Sequence, residues 1–240
     1  MKVKAQVEKP ELAVRSEGAP RKSLTSEGTR RSRILIADRF PVVREGLRHI
    51  VEKYPGWTVV AEAGDGLEAV RKVVKIRPDI AILGQSLPRL SGVTAADSIR
   101  RQAPETQVLI YATRTNDALI RDALSAGARG YLLKSASSDQ LVAAIEALSE
   151  HTVYFSSMAA DVLRNSVRAG AIQDRALLTG RERAILQLVA EGWTSKQIAV
   201  HLGLNQKTVE MYRIHVMRKI KASSLAELVR YAVRNLIVQP

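Results

Sequence analysis

No cysteine occurs among the 240 residues. Its absence excludes disulfides, thiolate zinc sites, iron–sulfur clusters and a cysteine nucleophile together, and it fits a reducing compartment. No apolar run approaches the ~18 residues needed to cross a bilayer, and the first thirty residues lack the apolar core of a signal peptide. A phosphate-binding glycine loop is missing, and the four histidines, at positions 49, 151, 201 and 215, are scattered. His49 and His201 fall inside helical patterns and read as surface or packing residues. An enzyme is therefore the weakest expectation. The chain is expected to be a soluble cytoplasmic protein with no membrane segment, metal or cofactor.

What the sequence has in excess is positive charge. It carries 37 Lys+Arg against 24 Asp+Glu, a formal net charge of +13, on a globular composition of 46% hydrophobic and 25% charged residues. The excess is uneven. Residues 1–32 hold 8 basic and 4 acidic side chains, residues 33–174 hold 18 and 16, and residues 175–240 hold 11 and 4. A compact segment as basic as the last one has the electrostatic footprint of a nucleic-acid binder, although a solvated basic surface has the same composition.

The chain divides into four parts. Residues 1–32 scatter Pro, Gly, Ser and charge without periodicity and read as a disordered basic arm. From Arg33 to residue 150, apolar runs at 34–37, 57–61, 79–83, 107–112 and 129–133 alternate with helical patterns at 41–53, 65–76, 91–102, 116–126 and 138–149. Five buried strands alternating with helices predict an α/β domain, a parallel sheet covered on both faces, with its site at the carboxyl ends of the strands. Residues 151–175 read as a linker with a short helix around 156–168. Residues 176–240 form a small all-α domain. Thr179 and Glu182 supply a capping box for a helix ending near Gly192. Thr194 or Ser195 opens a second, closed by Gly203; Asn205 opens a third, to about Lys221; a fourth covers 224–235.

A short helix, a turn containing Gly, then a longer helix is the helix-turn-helix arrangement. Ile198, Ala199, Leu202 and Leu204, continued by Val209, Tyr212, Val216 and Ile220, form the apolar seam at 3–4-residue spacing. Lys207, Glu210, Met211, Ile214, His215 and Arg218 are left facing outward. Lys196, Lys207, Arg213, Arg218, Lys219 and Lys221 are placed to meet phosphates, and the Asn205 end offers backbone N–H groups. Adding Gln206 and Thr208 of the first turn completes the candidate DNA-contacting set. The run LTGRERAILQLVAEGWTSKQIAVHLGLNQKTVEMYRIHVMRKI resembles the LuxR-type helix-turn-helix of the NarL/FixJ group of transcription regulators, a likeness spanning 178–236. The resemblance implies that positions 210, 211 and 214 read bases. Glu210 can accept from cytosine N4, and Met211 and Ile214 can touch thymine methyl groups.

The segments RILIADRFPVVREGLRHIVEKYPGWTVVAEAGDGLEAV, RPDIAILGQSLPRLSG, VLIYATR and AGARGYLLKSAS resemble the receiver domain of two-component response regulators, a flavodoxin-like fold, over about 33–150. The resemblance implies a pair of acids after the first strand, a phospho-accepting Asp ending the third, a Thr or Ser after the fourth and a Lys after the fifth, arranged around Mg²⁺. This chain departs from the pattern. Asp38 is the first acid, but the second is Arg39. The acceptor position is Gly84, and the hydroxyl position is Ala112, with Thr113 beside it. Lys134 and the switch aromatic Tyr131 are retained. Glycine has no side chain to carry an acyl phosphate, and Ser86 reads as a plain loop serine. Asp38 is expected to pair with Lys134 or Arg39, which removes the need for a metal.

The expectation is a sequence-specific, DNA-binding regulator that works without aspartyl phosphorylation. It would bind double-stranded DNA as a homodimer. The pseudo-receiver would serve as a dimerisation platform or, alternatively, as a sensor of a small anionic ligand. A different class of function is also open: an interaction subunit that heterodimerises with a phosphorylatable response regulator and tunes it.

Overall fold

A computed structural model describes residues 14–15, 31–114, 116–155 and 178–238. The first domain is a seven-stranded parallel sheet in the order β1-β7-β6-β5-β4-β2-β3. Its strands are β1 (Val14–Arg15), β2 (Ser32–Ala37), β3 (Trp57–Ala63), β4 (Ile80–Gly84), β5 (Gln107–Ala112), β6 (Gly130–Leu133) and β7 (Val153–Phe155). The helices between them are α1 (Pro41–Glu52), α2 (Gly66–Ile76), α3 (Gly92–Gln102), α4 (Asp117–Ser125) and α5 (Ser138–Ser149).

Alternation along each strand builds two cores. Leu35 and Ala37, Ala81 and Leu83, and Val108, Ile110 and Ala112 face α2, α3 and α4. Ile34 and Ile36, Ile80 and Ile82, and Leu109 face α1 and α5. Both faces of β2, β4 and β5 are therefore dry, which is why they read as continuous apolar runs. Burying each of these aliphatic side chains contributes about 1.5–3 kcal/mol.

Two strands lie outside the five expected. β7 pairs with β6, and β1 pairs with β7 through Val14 against Val153 and Arg15 against Tyr154. The sheet thus takes two residues from the arm read as disordered and runs past residue 150 into the segment read as linker. The reason is at the edge: without β7, the backbone of β6 would present unpaired N–H and C=O groups. The remainder of the arm, and the helix expected around 156–168, lie outside the described residues.

The second domain consists of α6 (Gly180–Ala190), α7 (Ser195–Leu202), α8 (Gln206–Lys219) and α9 (Leu225–Arg234). Its starts follow the sequence. Thr179 and Glu182 form a capping box on α6, Thr194 and Gln197 form another on α7, and Asn205 accepts from the Lys207 N–H at the start of α8. Gly203 ends α7 with φ 62°, a left-handed turn that costs glycine nothing. Ile198, Ala199, Val209 and Val216 are buried in one apolar cluster, with Leu202, Leu204, Tyr212 and Ile220 packed against it.

Candidate functional site

The carboxyl ends of β2 and β4 meet where the strand order reverses, the position at which open α/β sheets place their sites. Asp38 follows β2 and is 1% exposed. Its Oδ2 pairs with the Lys134 ammonium, and its Oδ1 accepts from the Phe40 N–H at 3.0 Å. Arg39 is exposed, with its guanidinium 5.1 Å from the Phe40 ring centroid. Of the two cations expected to compete for Asp38, Lys134 holds it.

Gly84 ends β4 beside that pair. A Cβ placed on it would lie 2.7 Å from Asp38 Oδ2 and 3.3 Å from the Ala37 carbonyl. The space that a side chain at 84 needs is filled by Asp38. Ala112 is fully buried, and its carbonyl accepts from the Lys134 N–H at 2.7 Å. Tyr131 is 1% exposed, its hydroxyl 3.4 Å from the Arg114 carbonyl and 3.5 Å from Gln85 Oε1. Burial and the Asp38 charge both push the Tyr111 hydroxyl above its usual pKa. A Mg²⁺ ion does not fit this pocket. Among the described residues Asp38 is its one carboxylate, both oxygens are engaged, and Gly84 offers no side-chain oxygen. Ser86 lies half-buried in the loop beyond β4.

The second candidate surface is α8. Gln206, Lys207, Glu210, His215 and Arg218 are exposed, and Met211 and Ile214 are 62% and 66% exposed. Two large apolar side chains held in water on a basic helix have no role in packing. Gln206 Nε2 donates to Glu210 Oε1 at 2.9 Å and holds that carboxylate on the open face. Arg213 Nη1 donates to Ser195 Oγ at 2.9 Å and so ties α8 to the start of α7, where Lys196 is exposed. Thr208 is half-buried in the first turn.

Lys219, expected among the phosphate contacts, also has a partner inside the molecule. Its Nζ donates to Glu182 Oε2 at 2.7 Å, and Glu182 is 4% exposed. A nearby buried carboxylate offers the ammonium a better partner than bulk water. His201, read as a packing residue, lies against Trp193 with ring centroids 4.7 Å apart. Burial, with Arg89 nearby, lowers its pKa.

The two halves of the chain match two family models. Residues 34–146 match the response regulator receiver domain, and residues 176–232 match the bacterial regulatory proteins of the luxR family. Oxygen regulatory protein NreC of Staphylococcus aureus is 35% identical over 215 residues, covering 86% of this chain and 99% of NreC. The chain belongs to the LuxR-type response regulators. A two-component response regulator of that family from Aurantimonas sp. SI85-9A1 is 36% identical, with a TM-score of 0.54 over 57% of this chain and 98% of the other. RcsB from Salmonella enterica serovar Typhimurium was solved bound to promoter P1flhDC in the presence of the phosphomimetic BeF3-. It is 25% identical, with a TM-score of 0.59 over 84% of this chain and 98% of RcsB. Among the described residues, no helix is long and apolar enough to cross a membrane.

Sequence reasoning missed the residues between the two domains. Gln187, Glu191 and Arg183 of the second domain contact Leu87, Ser91, Arg89 and Asp122 of the receiver. One signal was available: α6 buries Ala184, Ile185, Leu186, Leu188 and Val189, and a helix that is apolar all round is covered on every side.

Two expected outcomes follow from these geometries. Lys134→Ala leaves a buried carboxylate without its partner and should cost about 3 kcal/mol in urea unfolding, part of which Asp38→Ala restores in the double variant. For Glu182, burial pushes the carboxyl up, but Lys219 and the Thr179 N–H and hydroxyl outweigh it, so its pKa lies below the ordinary value. The folded state thus holds this proton less tightly than the unfolded chain does. Its stabilising contribution is complete above the ordinary carboxylate range and is lost as pH falls through the lower, folded value. In acid unfolding followed by circular dichroism, Glu182→Gln should flatten the pH dependence in that window; an unchanged slope would contradict the assignment.

Proposed function

We propose that this chain is a sequence-specific transcription regulator that reads DNA with α8 and works without aspartyl phosphorylation. One observation carries the reading: the Asp38–Lys134 pair closes the strand-end pocket while the outward face of α8 stays open. Glycine at 84 has no group to phosphorylate, and the Asp38 carboxylate beside it is already engaged.

On the DNA side, the N-terminal half of α8 enters the major groove. Lys196, Lys207, Arg213 and Arg218 neutralise phosphates, and the Asn205 end of the helix offers N–H groups to another. Glu210, oriented by Gln206, accepts from cytosine N4, and Met211 and Ile214 cover thymine methyl groups. Thr208 and His215 flank this set. That RcsB was solved on promoter DNA supports DNA as the partner here.

The receiver then acts as a platform for a homodimer, the arrangement that suits paired half-sites. The platform is favoured over an anion sensor because the pocket's cations are engaged inside the molecule. Lys134 pairs with Asp38, and Arg39 lies over Phe40 and near Glu191. A regulator of this kind works in the bacterial cytoplasm and catalyses no reaction of its own.

Incubation with acetyl phosphate should change neither the intact mass nor the DNA affinity; an adduct of about 80 Da on the receiver would contradict the proposal. Lys207→Ala should weaken binding on all duplexes and lower the slope of log affinity against log salt by about one unit. Glu210→Ala should instead relax preference at a single base pair by about 1–3 kcal/mol. Equal losses on every sequence would remove Glu210 from the reading set.

A further inference from the structure

The loop between β4 and α3 carries the residues that follow the degenerate acceptor position, and α6 of the DNA-binding domain lies against it. Gln187 of α6 is 1% exposed. Its Nε2 donates to the Leu87 carbonyl at 2.8 Å and to Glu191 Oε1 at 2.7 Å, and its Oε1 accepts from the Ser91 N–H at 2.6 Å. A side-chain amide that meets both a C=O and an N–H of one loop is bonded to it as a neighbouring strand would be; the third bond, to Glu191, fixes the amide from its own side.

Other contacts surround this clamp. Ala184 is buried in the receiver's own apolar cluster. Arg183 pairs with Asp122 of α4 at 2.6 Å, both side chains largely buried. Asp97 of α3 approaches the start of α6 so closely that a Cβ on Gly180 would lie 2.8 Å from its Oδ2. Arg39, which stands where the family keeps an acid, acts electrostatically on Glu191.

What matters for DNA is which surfaces this dock covers. It takes up one flank of α6, and an open cleft lined by Lys219, Asp97 and Asp122 separates the C-terminal end of α8 from the receiver. It leaves uncovered the outward face of α8, including Met211 and Ile214. A ligand shifts a conformational equilibrium only by binding one state better than the other. If the reading face is already accessible in the docked chain, DNA gains nothing by separating the domains. Separation would also expose Ala184 and the apolar flank of α6.

We propose that the receiver–α6 dock is a permanent brace: DNA binds to the docked chain, and the Gln187 clamp stays closed in the complex. The inference rests on the DNA-binding reading above. It assigns the loop 85–91 a new task, holding α8 at a fixed orientation relative to the receiver.

The absence of cysteine makes the test clean. In the full chain, Asp97→Cys combined with Gly180→Cys introduces the only two thiols. The added Cβ at 180 lies 3.7 Å from Asp97 Cγ, the place the sulfur of a cysteine at 97 would take, so the two thiols meet without a large backbone movement. The probe is a duplex recovered from a random pool with the unmodified chain. The expected result is that the disulfide forms under mild oxidant and that the oxidised protein binds this duplex within about twofold of the reduced protein. A loss of about tenfold or more on oxidation, reversed by reductant, would overturn the brace, as would failure of the disulfide to form. If no duplex is recovered and neither the reduced variant nor the unmodified chain binds DNA, the DNA-binding reading itself falls, an outcome distinct from the other two.

Discussion

A buried carboxylate needs a partner, and the receiver is organised by how Asp38 obtains one. At the carboxyl ends of β2 and β4 it is held by the Lys134 ammonium and the Phe40 N–H. This pair spans the sheet from β2 to the end of β6 and occupies the volume that a side chain at position 84 would need. Where three carboxylates and a lysine would require a metal ion to balance their charge, one carboxylate and one lysine balance each other. In the proposed reading the pocket is a structural joint in place of a chemical site.

Once the joint is closed, the neighbouring substitutions take on consistent roles. Gly84 leaves room for Asp38. Ala112 gives up a hydroxyl that would have no phosphoryl group to meet, and its carbonyl receives the Lys134 N–H. Arg39 lies with its guanidinium over the Phe40 ring. The loop that would respond to an acceptor's chemistry is instead bonded to Gln187. In the proposed mechanism these changes convert a switch into a scaffold, and the surface that remains open is the one facing DNA.

Much of this was legible in the sequence because the relevant signals are local. The apolar runs of β2, β4 and β5 are continuous because both faces are buried, and the caps at Thr179, Thr194 and Asn205 are chemical requirements of a helix start. The seam of α7 and α8 and the exposed set on α8 followed from periodicity alone. Other features depend on distant groups. Which cation would hold Asp38 depended on where the end of β6 brings Lys134. Strands β1 and β7 are two and three residues long, too short for periodicity to mark. The Lys219–Glu182 pair joins residues 37 positions apart, a separation that periodicity does not register. Gln187 reads as an ordinary polar helix position unless the unbroken apolar character around it is noticed.

The central claim is that this chain reads a particular DNA sequence in its unphosphorylated state. The most direct measurement is selection from a random duplex pool by the purified full chain, never exposed to a phosphodonor, followed by sequencing of the bound fraction. A chain that reads DNA unphosphorylated should enrich a single motif, with paired half-sites about one helical turn, roughly 10 base pairs, apart. No enrichment, or enrichment only after treatment with a phosphodonor, would contradict it.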